Sequence, residues 1–239
     1  MTDYYVYGRN TVREYLHSGA LKVLYTRERF KSDPLVCEAI AASVIIHFEE
    51  DKDLAKRAGD SRHQGFVALA KAPKMWELRE LIEHAKRKQN PLLLLLDGIE
   101  DPVNLGAILR SADAFGTDGI ILKNSGGVRL NATVAKVSTG AVVYVPVCEV
   151  SNLSQAISEL KDAGYWIVAS DGSATMSYDE VDYKGPIGLI VGSEGFGISR
   201  LVLRNSDYVV KIPMTGHVNS LNASVATAVL LSQIVLSRK

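Results

Sequence analysis

Cysteine is scarce: the 239-residue chain has only Cys37 and Cys148. They suit a reducing cytosol, where an isolated cysteine behaves as a small hydrophobe. The five histidines, His17, His47, His63, His84 and His217, are scattered, and no Cys/His cluster has the spacing of a metal site. A long hydrophobic run is missing too. The longest pure apolar stretch near the middle, Leu92 to Leu96, is far too short to span a bilayer. The opening Met-Thr-Asp-Tyr-Tyr lacks a basic stretch followed by an apolar core, so no secretion signal is expected. These absences predict a soluble cytoplasmic protein. Net charge is absent as well, with 27 basic and 27 acidic side chains. Residues 1–75 carry 12 basic and 10 acidic groups, and residues 76–239 carry 15 and 17. Composition therefore does not suggest a nucleic-acid partner, and any such site must be a local patch. Candidate patches are Arg9 with Arg13, the run Arg27, Arg29 and Lys31, and Arg62 beside His63; each also reads as ordinary solvated charge.

What remains is ordinary globular composition, 47% hydrophobic and 23% charged, without repeats or low-complexity segments. Residues 1–72 predict a small α/β unit. Helices are expected at 8–18, from the Asp33-Pro34 cap to about Ala42, and at 51–58; strands are expected at 21–26, 44–48 and 64–70. Lys71-Ala-Pro-Lys74 reads as a linker, followed by a polar helix from Trp76 to about Gln89 that Asn90-Pro91 breaks. From Leu92 onward, apolar strand-length runs alternate with helical patterns. Strands are predicted at 92–96, 119–122, 142–146, 166–169, 187–191 and 208–212, with helices at 103–115, 152–163 and 199–205. That alternation argues for a parallel sheet covered on both faces. The last helix, about 221–237, is apolar nearly all round and must be buried on most sides.

Ligands of open α/β sheets bind at the C-terminal ends of strands. Three polar, glycine-rich stretches are predicted there: 97–110, 192–197 and 212–226. None is a dinucleotide fingerprint. Asp-Gly-Ile-Glu-Asp-Pro after the first strand lacks the second and third glycines, and Gly-Ser-Glu-Gly-Phe-Gly at 192–197 has them in the wrong order and lacks a P-loop's Lys-Ser/Thr ending. A phosphate held by backbone N–H groups at Gly192 stays open. No Gly-x-Ser-x-Gly elbow is present. Asn104 reads as a helix-start cap or loop bond. Arg110 lies among apolar Ile108, Leu109 and Ala112, so it is either one half of an ion pair with Glu194 or Asp113, or a cation aimed at a reacting oxygen. Ser220 reads structurally as the cap of the last helix.

Taken together, Asp-Pro-x-Asn-Leu-Gly-Ala-Ile-Leu-Arg-Ser-Ala-Asp at 101–113, Val-Gly-Ser-Glu-Gly-x-Gly at 191–197 and Ile-Pro-Met-x-Gly-x-x-x-Ser-Leu-Asn-x-Ser-x-Ala at 212–226 resemble the three signature motifs of the TrmH (SpoU) group of SPOUT methyltransferases. The N-terminal part looks like the ribosomal-protein-type RNA-binding domain of bacterial RlmB enzymes, through Tyr7-Gly8-Arg9-Asn10 and His63-Gln64-Gly65. The resemblance implies an α/β trefoil-knot methyltransferase domain at 91–239, a connecting linker and helix at 73–90, and an RNA substrate-binding domain at 1–72. It implies S-adenosylmethionine as cofactor and a ribose 2′-hydroxyl as acceptor, in a guanosine of 23S rRNA or alternatively in tRNA. Gly192, Ile212 and Leu221 would hold the cofactor, with Thr139 and Gly140 lining the same pocket. Arg110 carries the central catalytic role, with Glu194 orienting it and Asn104, Ser220 and Asn222 placing the ribose. Arginine keeps its proton above pH 12, so stabilising the developing alkoxide, or binding the adjacent phosphate, is easier than acting as base. Arg9, Arg13, Arg62 and His63 are the expected RNA contacts. A homodimer through the last helix is expected from its apolar surface and from the family. Two rivals remain: a catalytically silent RNA-binding ribosome-assembly factor, against which the intact motif residues argue, and a nicotinamide-linked oxidoreductase, against which the missing fingerprint argues.

Overall fold

The computed structural model describes residues 3–123, 128–217 and 220–239, so Val218 and Asn219 of the third motif lie outside the described residues. The chain forms two compact units: Met1–Lys74 with Leu130–Tyr144, and Met75–Arg129 with Val145–Lys239.

The first unit is built on a four-stranded sheet. Its strands are β1 (Asp3–Tyr7), β2 (Leu21–Thr26), β3 (Ile45–Phe48) and β4 (Phe66–Lys71), in the order β1-β4-β2-β3. β4 runs antiparallel to β1 and β2, and β3 is parallel to β2. β1 was not expected; its Tyr-Tyr-Val-Tyr is strongly β-prone and buries Val6 and Tyr7. Helices α1 (Arg9–His17), α2 (Pro34–Ala41) and α3 (Asp51–Ala58) fall within about a residue of the expected ranges. The Asp33 side chain accepts the Leu35 N–H at 2.9 Å with Pro34 in the first turn, and Gly59 closes α3 at φ 66°.

The second unit holds an eight-stranded sheet in which every pairing is parallel. The 73–90 segment is more than a connector. It supplies β5 (Met75–Trp76) at one sheet edge and α4 (Leu78–Ala85), which buries Leu81, Ile82 and Ala85. The expected polar helix is thus shorter and carries a buried stripe. β6 (Leu92–Asp97) is central and buried along its whole length, as a parallel strand covered on both faces must be. Leu93 and Leu95 pack with Leu81, Ile157, Leu160 and Val202 on one face. α5 (Pro102–Ala114) follows, capped by Asp101, whose side chain accepts the Val103 N–H at 2.9 Å. Asn104 is therefore inside the helix and not its cap, and its side chain is free for other work.

After β7 (Gly119–Lys123) the chain crosses into the first unit as α6 (Ala132–Val137) and a 3₁₀ turn, Ala141–Val143. The strand expected at 142–146 is instead β8 (Val147–Val150). β8 is paired on both sides, by β7 and β5, and Pro146 has no N–H to give such a ladder. The remainder is α7 (Leu153–Asp162), β9 (Trp166–Ser170), β10 (Met176–Ser177), β11 (Ile187–Gly192), α8 (Arg200–Arg204), β12 (Tyr208–Lys211) and α9 (Ala223–Ser237). The sheet order is β10-β12-β9-β11-β6-β7-β8-β5. α9 packs on α5 and β11, burying Thr227, Leu230, Leu231 and Ile234. Its other side is not covered by the described residues: Val225 is 48% and Leu236 57% exposed. Arg238 fixes its end by donating to the carbonyls of Asn90, Tyr183 and Gly185 at 2.8, 2.9 and 3.0 Å.

Candidate active site

Three adjacent parallel strands, β12, β9 and β11, end at one cleft. β9 delivers Ser170, Asp171 and Gly172; β11 delivers Val191, Gly192 and Ser193; the chain after β12 brings Ile212 and Met214; the start of α9 adds Ser220, Leu221, Ala223 and Ala226. Gly192 must be glycine, because a Cβ there would lie 2.2 Å from the carbonyl carbon of Gly197. The loop between them turns back tightly, with Ser193 and Gly197 exchanging two backbone hydrogen bonds of 2.9 and 3.2 Å. That turn sends Glu194 to the cleft wall.

Glu194 meets the other two motifs there. Its Oε1 accepts the Asn104 Nδ2–H at 3.2 Å, the Ala223 N–H at 3.4 Å and a short bond from Asn222 Nδ2. Asn222 Nδ2 also donates to Asn104 Oδ1 at 2.9 Å. Asn222, not Ser220, caps α9: its Oδ1 accepts the N–H groups of Ser224 and Val225 at 2.9 and 3.3 Å and the Ser224 hydroxyl at 2.6 Å. The cap fixes which way the carboxamide faces, with oxygen on the helix and nitrogen on Glu194. The carboxylate at the positive end of α9 gains from the helix dipole.

Arg110 is placed otherwise than expected. It lies two turns along α5, is exposed, and forms no ion pair among the described residues. An exposed guanidinium needs no internal partner, and Glu194 is bonded to Asn104, Asn222 and Ala223 instead. Gly192, Ile212, Leu221, Glu194 and Ser220 all line the cleft. Thr139 and Gly140 do not. They fold with the first unit, where a Cβ on Gly140 would strike the Glu14 side chain at 2.5 Å. Three lining residues, Ser170, Asp171 and Gly172, lie outside the motifs; a Ser-Asp-Gly directly after the apolar run 167–169 was the available signal. Asp171 is braced, its Oδ1 accepting the Ser173 N–H and hydroxyl at 2.8 and 2.6 Å.

The described lining has two carboxylates, Asp171 and Glu194, and no lysine, arginine or histidine. Such a wall repels polyphosphates and favours a cationic ligand. Its apolar part, Val191, Ile212, Leu221 and Ala226, suits a flat aromatic group.

A model of the SpoU rRNA methylase family matches residues 91–232, and one for RNA 2′-O ribose methyltransferase substrate binding matches 5–76. The chain belongs to the SpoU methylase family. It is an RNA 2′-O-ribose methyltransferase by family, on the SPOUT fold. A TrmH family tRNA/rRNA methyltransferase of Staphylococcus saprophyticus is 40% identical over 243 positions, covering 100% of this chain and 97% of the relative. A solved RNA 2′-O ribose methyltransferase superposes with TM-score 0.83 at 28% identity, over 99% of this chain and 89% of its own. The SpoU methyltransferase AviRb of Streptomyces viridochromogenes, solved with S-adenosylmethionine, shares the fold with TM-score 0.82 at 22% identity, over 99% and 90%. The family's methyl donor is S-adenosylmethionine.

In the first unit the expected RNA contacts divide. Arg13 and Arg62 are exposed, although Arg62 is forked onto Asp60, with Nη2 2.8 Å from Oδ2. Arg9 is tied to Asp33 through both terminal guanidinium nitrogens, Nη1 and Nη2, and lies over Phe66. His63 is buried at 2% exposure, its Nδ1 accepting the Gly65 N–H at 3.0 Å. It shapes the turn and presents no surface to RNA, a correction to its expected role.

Proposed function

We propose that this SpoU methylase transfers a methyl group from S-adenosylmethionine to the 2′-hydroxyl of a guanosine in 23S rRNA. The observation that carries the cofactor reading is the cleft lining, acidic and apolar with no basic side chain, at the ends of three parallel strands. The sulfonium and ammonium of the donor are cationic and its adenine is flat, so both match. Backbone groups at Gly192, Ile212 and Leu221 hold the adenosyl part. When bound, the donor supplies a methyl carbon made electrophilic by its sulfonium. Attack by the ribose 2′-oxygen would form the new C–O bond as the C–S bond breaks, the sulfur leaving as a neutral thioether with the bonding pair and the hydroxyl proton passing to solvent. Asn104, Glu194, Asn222 and Ser220 fix the ribose against the cleft mouth, and positioning of this kind is a large part of such catalysis. Arg110, exposed and without an ion pair among the described residues, stabilises the developing alkoxide or grips the adjacent phosphate.

Residues of the first unit recruit the RNA, in keeping with the substrate-binding model over 5–76. The uncovered Val225 and Leu236 of α9 support a homodimer through that helix. The knotted path of the family and a cytoplasmic location belong to the same reading; no described helix is long and apolar enough to cross a membrane. The test is to map 2′-O-methyl marks on total RNA from cells with and without the gene. Loss of one mark in 23S rRNA is expected. Loss of a tRNA mark instead would move the substrate to tRNA, and no lost mark would refute the rRNA reading.

A further inference from the structure

Lys136 lies within the stretch matched by the methylase model, yet it folds with the substrate-binding unit. Its side chain runs across Gly8 so closely that a Cβ there would sit 2.0 Å from Nζ. Only glycine, at φ 90°, leaves room for it. Nζ donates to Gln64 Oε1 at 3.2 Å and stands 5.8 Å from the centre of the Tyr7 ring. Gln64 Oε1 is shared, because it also accepts the Arg9 N–H at 3.1 Å.

This ammonium is half-buried and poorly compensated. Of its three N–H groups only one has an acceptor among the described residues, and no described carboxylate lies within ion-pair distance. The acid that influences it, Asp60, is committed elsewhere. Asp60 accepts from the Arg62 N–H at 2.8 Å, from Arg62 Nε and Nη2, and from the Tyr7 hydroxyl at 3.0 Å. Burial pushes the Lys136 pKa down, with Asp60 opposing and Arg62 adding to the fall. The start of α1 adds partial positive charge beside it, since Gly8 supplies no side-chain cap. Lys136 and Arg62 thus share one carboxylate, already occupied, and the ammonium keeps N–H groups without an acceptor among the described residues. Removing such donors from water without an acceptor is unfavourable, and an anion relieves it.

We propose that Lys136, with Arg62 beside it, receives one backbone phosphate of the substrate RNA. The proposal rests on the reading that the first unit recruits RNA, and it adds a contact made by a residue outside the 5–76 substrate-binding segment. A phosphodiester carries one negative charge and acceptor oxygens for the spare ammonium hydrogens.

The test uses the full-length protein and unmodified 23S rRNA transcript, with binding measured across a salt series. Lys136→Met removes the charge but keeps an apolar stem, and Lys136→Arg keeps the charge. Lys136→Met is expected to bind roughly tenfold more weakly at low salt and to lower the slope of log K against log salt by about 0.7–0.9, the share of one phosphate. Lys136→Arg is expected to keep the wild-type slope. Thermal melting of Lys136→Met at or above the wild-type temperature supports a binding role, since a desolvated charge has been removed. A wild-type affinity and slope for Lys136→Met overturns the proposal. Hydrogen exchange of the wild-type complex separates the two failures. Protection of 7–11 and 62–66 with an unchanged Lys136→Met slope sinks only this contact. No protection anywhere in the first unit sinks the recruitment reading and this proposal with it.

Discussion

Replacing Asn222 with Asp separates two jobs that one carboxamide performs. Its oxygen caps α9 and its nitrogen grips Glu194 and Asn104. Aspartate keeps a capping oxygen and, as an anion at a helix start, is at least as good a cap. On the other side it sets an oxygen against the Glu194 carboxylate. Two unit charges about 3 Å apart repel by about 1 kcal/mol in bulk water and about 5 kcal/mol at an effective dielectric of 20. Glu194 then swings out of the cleft wall and Asn104 loses its donor. Single-turnover methylation at pH 7.5 is expected to fall by roughly 10²–10³, the scale of losing one well-placed polar group. The carboxylate pair will take up one shared proton as pH falls, restoring an O–H···O bond, so the ratio of variant to wild-type rate is expected to climb between about pH 7.5 and 5. Asn222→Ala supplies the contrast. It loses the cap, at about 1 kcal/mol of stability, and shows no such climb. A wild-type rate for Asn222→Asp at pH 7.5, or identical pH profiles for both variants, would refute the claim that this bond builds the site.

Four further outcomes are expected. Arg110→Ala should lower the single-turnover rate by about 10²–10³ with cofactor affinity unchanged by calorimetry; a rate near wild type would make Arg110 dispensable. Arg110→Lys should retain part of the rate and lose it as pH rises through the lysine pKa if charge is what matters; a rate rising over that range would mark a base. Arg238→Ala leaves the carbonyls of Asn90, Tyr183 and Gly185 without their shared donor and should cost about 2–3 kcal/mol in denaturant unfolding. In acid the first unit should weaken. Arg9 holds the Asp33 carboxyl below its usual range and Arg57 does the same for Glu49, in both cases first through a hydrogen bond. Depressed carboxyl pKa values contribute stability that is complete above the unfolded values near pH 4 and fades as pH falls through the folded ones. Acid melts of Asp33→Asn with Glu49→Gln should therefore be flatter below about pH 4 than those of wild type; parallel curves would contradict the assignment.

Much of the second unit was legible because its signals are strong and local. A five-leucine run can hardly be anything but a central buried strand, and Asp101-Pro102 marks the start of α5 as clearly as Asp33-Pro34 marks that of α2. Short edge elements were not. β5 and β10 have two residues each, and only their neighbours make them strands. The β-prone Val142–Pro146 misled because its valines fit a strand, while Pro146 stands just before β8 and can give that ladder its carbonyl, which accepts the Ile120 N–H at 2.8 Å, but no N–H. Motif spacing put Asn104, Glu194 and Asn222 in one region. It could not reveal that Asn222 is at once cap and clamp, nor that Glu194 is bonded to Asn104, Asn222 and Ala223 and forms no ion pair with Arg110, because both depend on side-chain direction. His63 illustrates the converse: beside an arginine it reads as surface, whereas its hydrogen bond to Gly65 needs the interior.

The excursion of Leu130–Tyr144 into the first unit makes that unit discontinuous in sequence. No single cut yields two intact halves. Shortening the chain to begin near residue 75 would leave α6 without the surface that Thr11 and β1 provide, exposing Val134 and Ala135, both now fully buried. Such a fragment would lose RNA and gain a sticky apolar patch together, and aggregation could be mistaken for a catalytic defect. A graft that swaps RNA specificity between relatives would have to carry both pieces, residues 1–74 and 130–144, as one cassette.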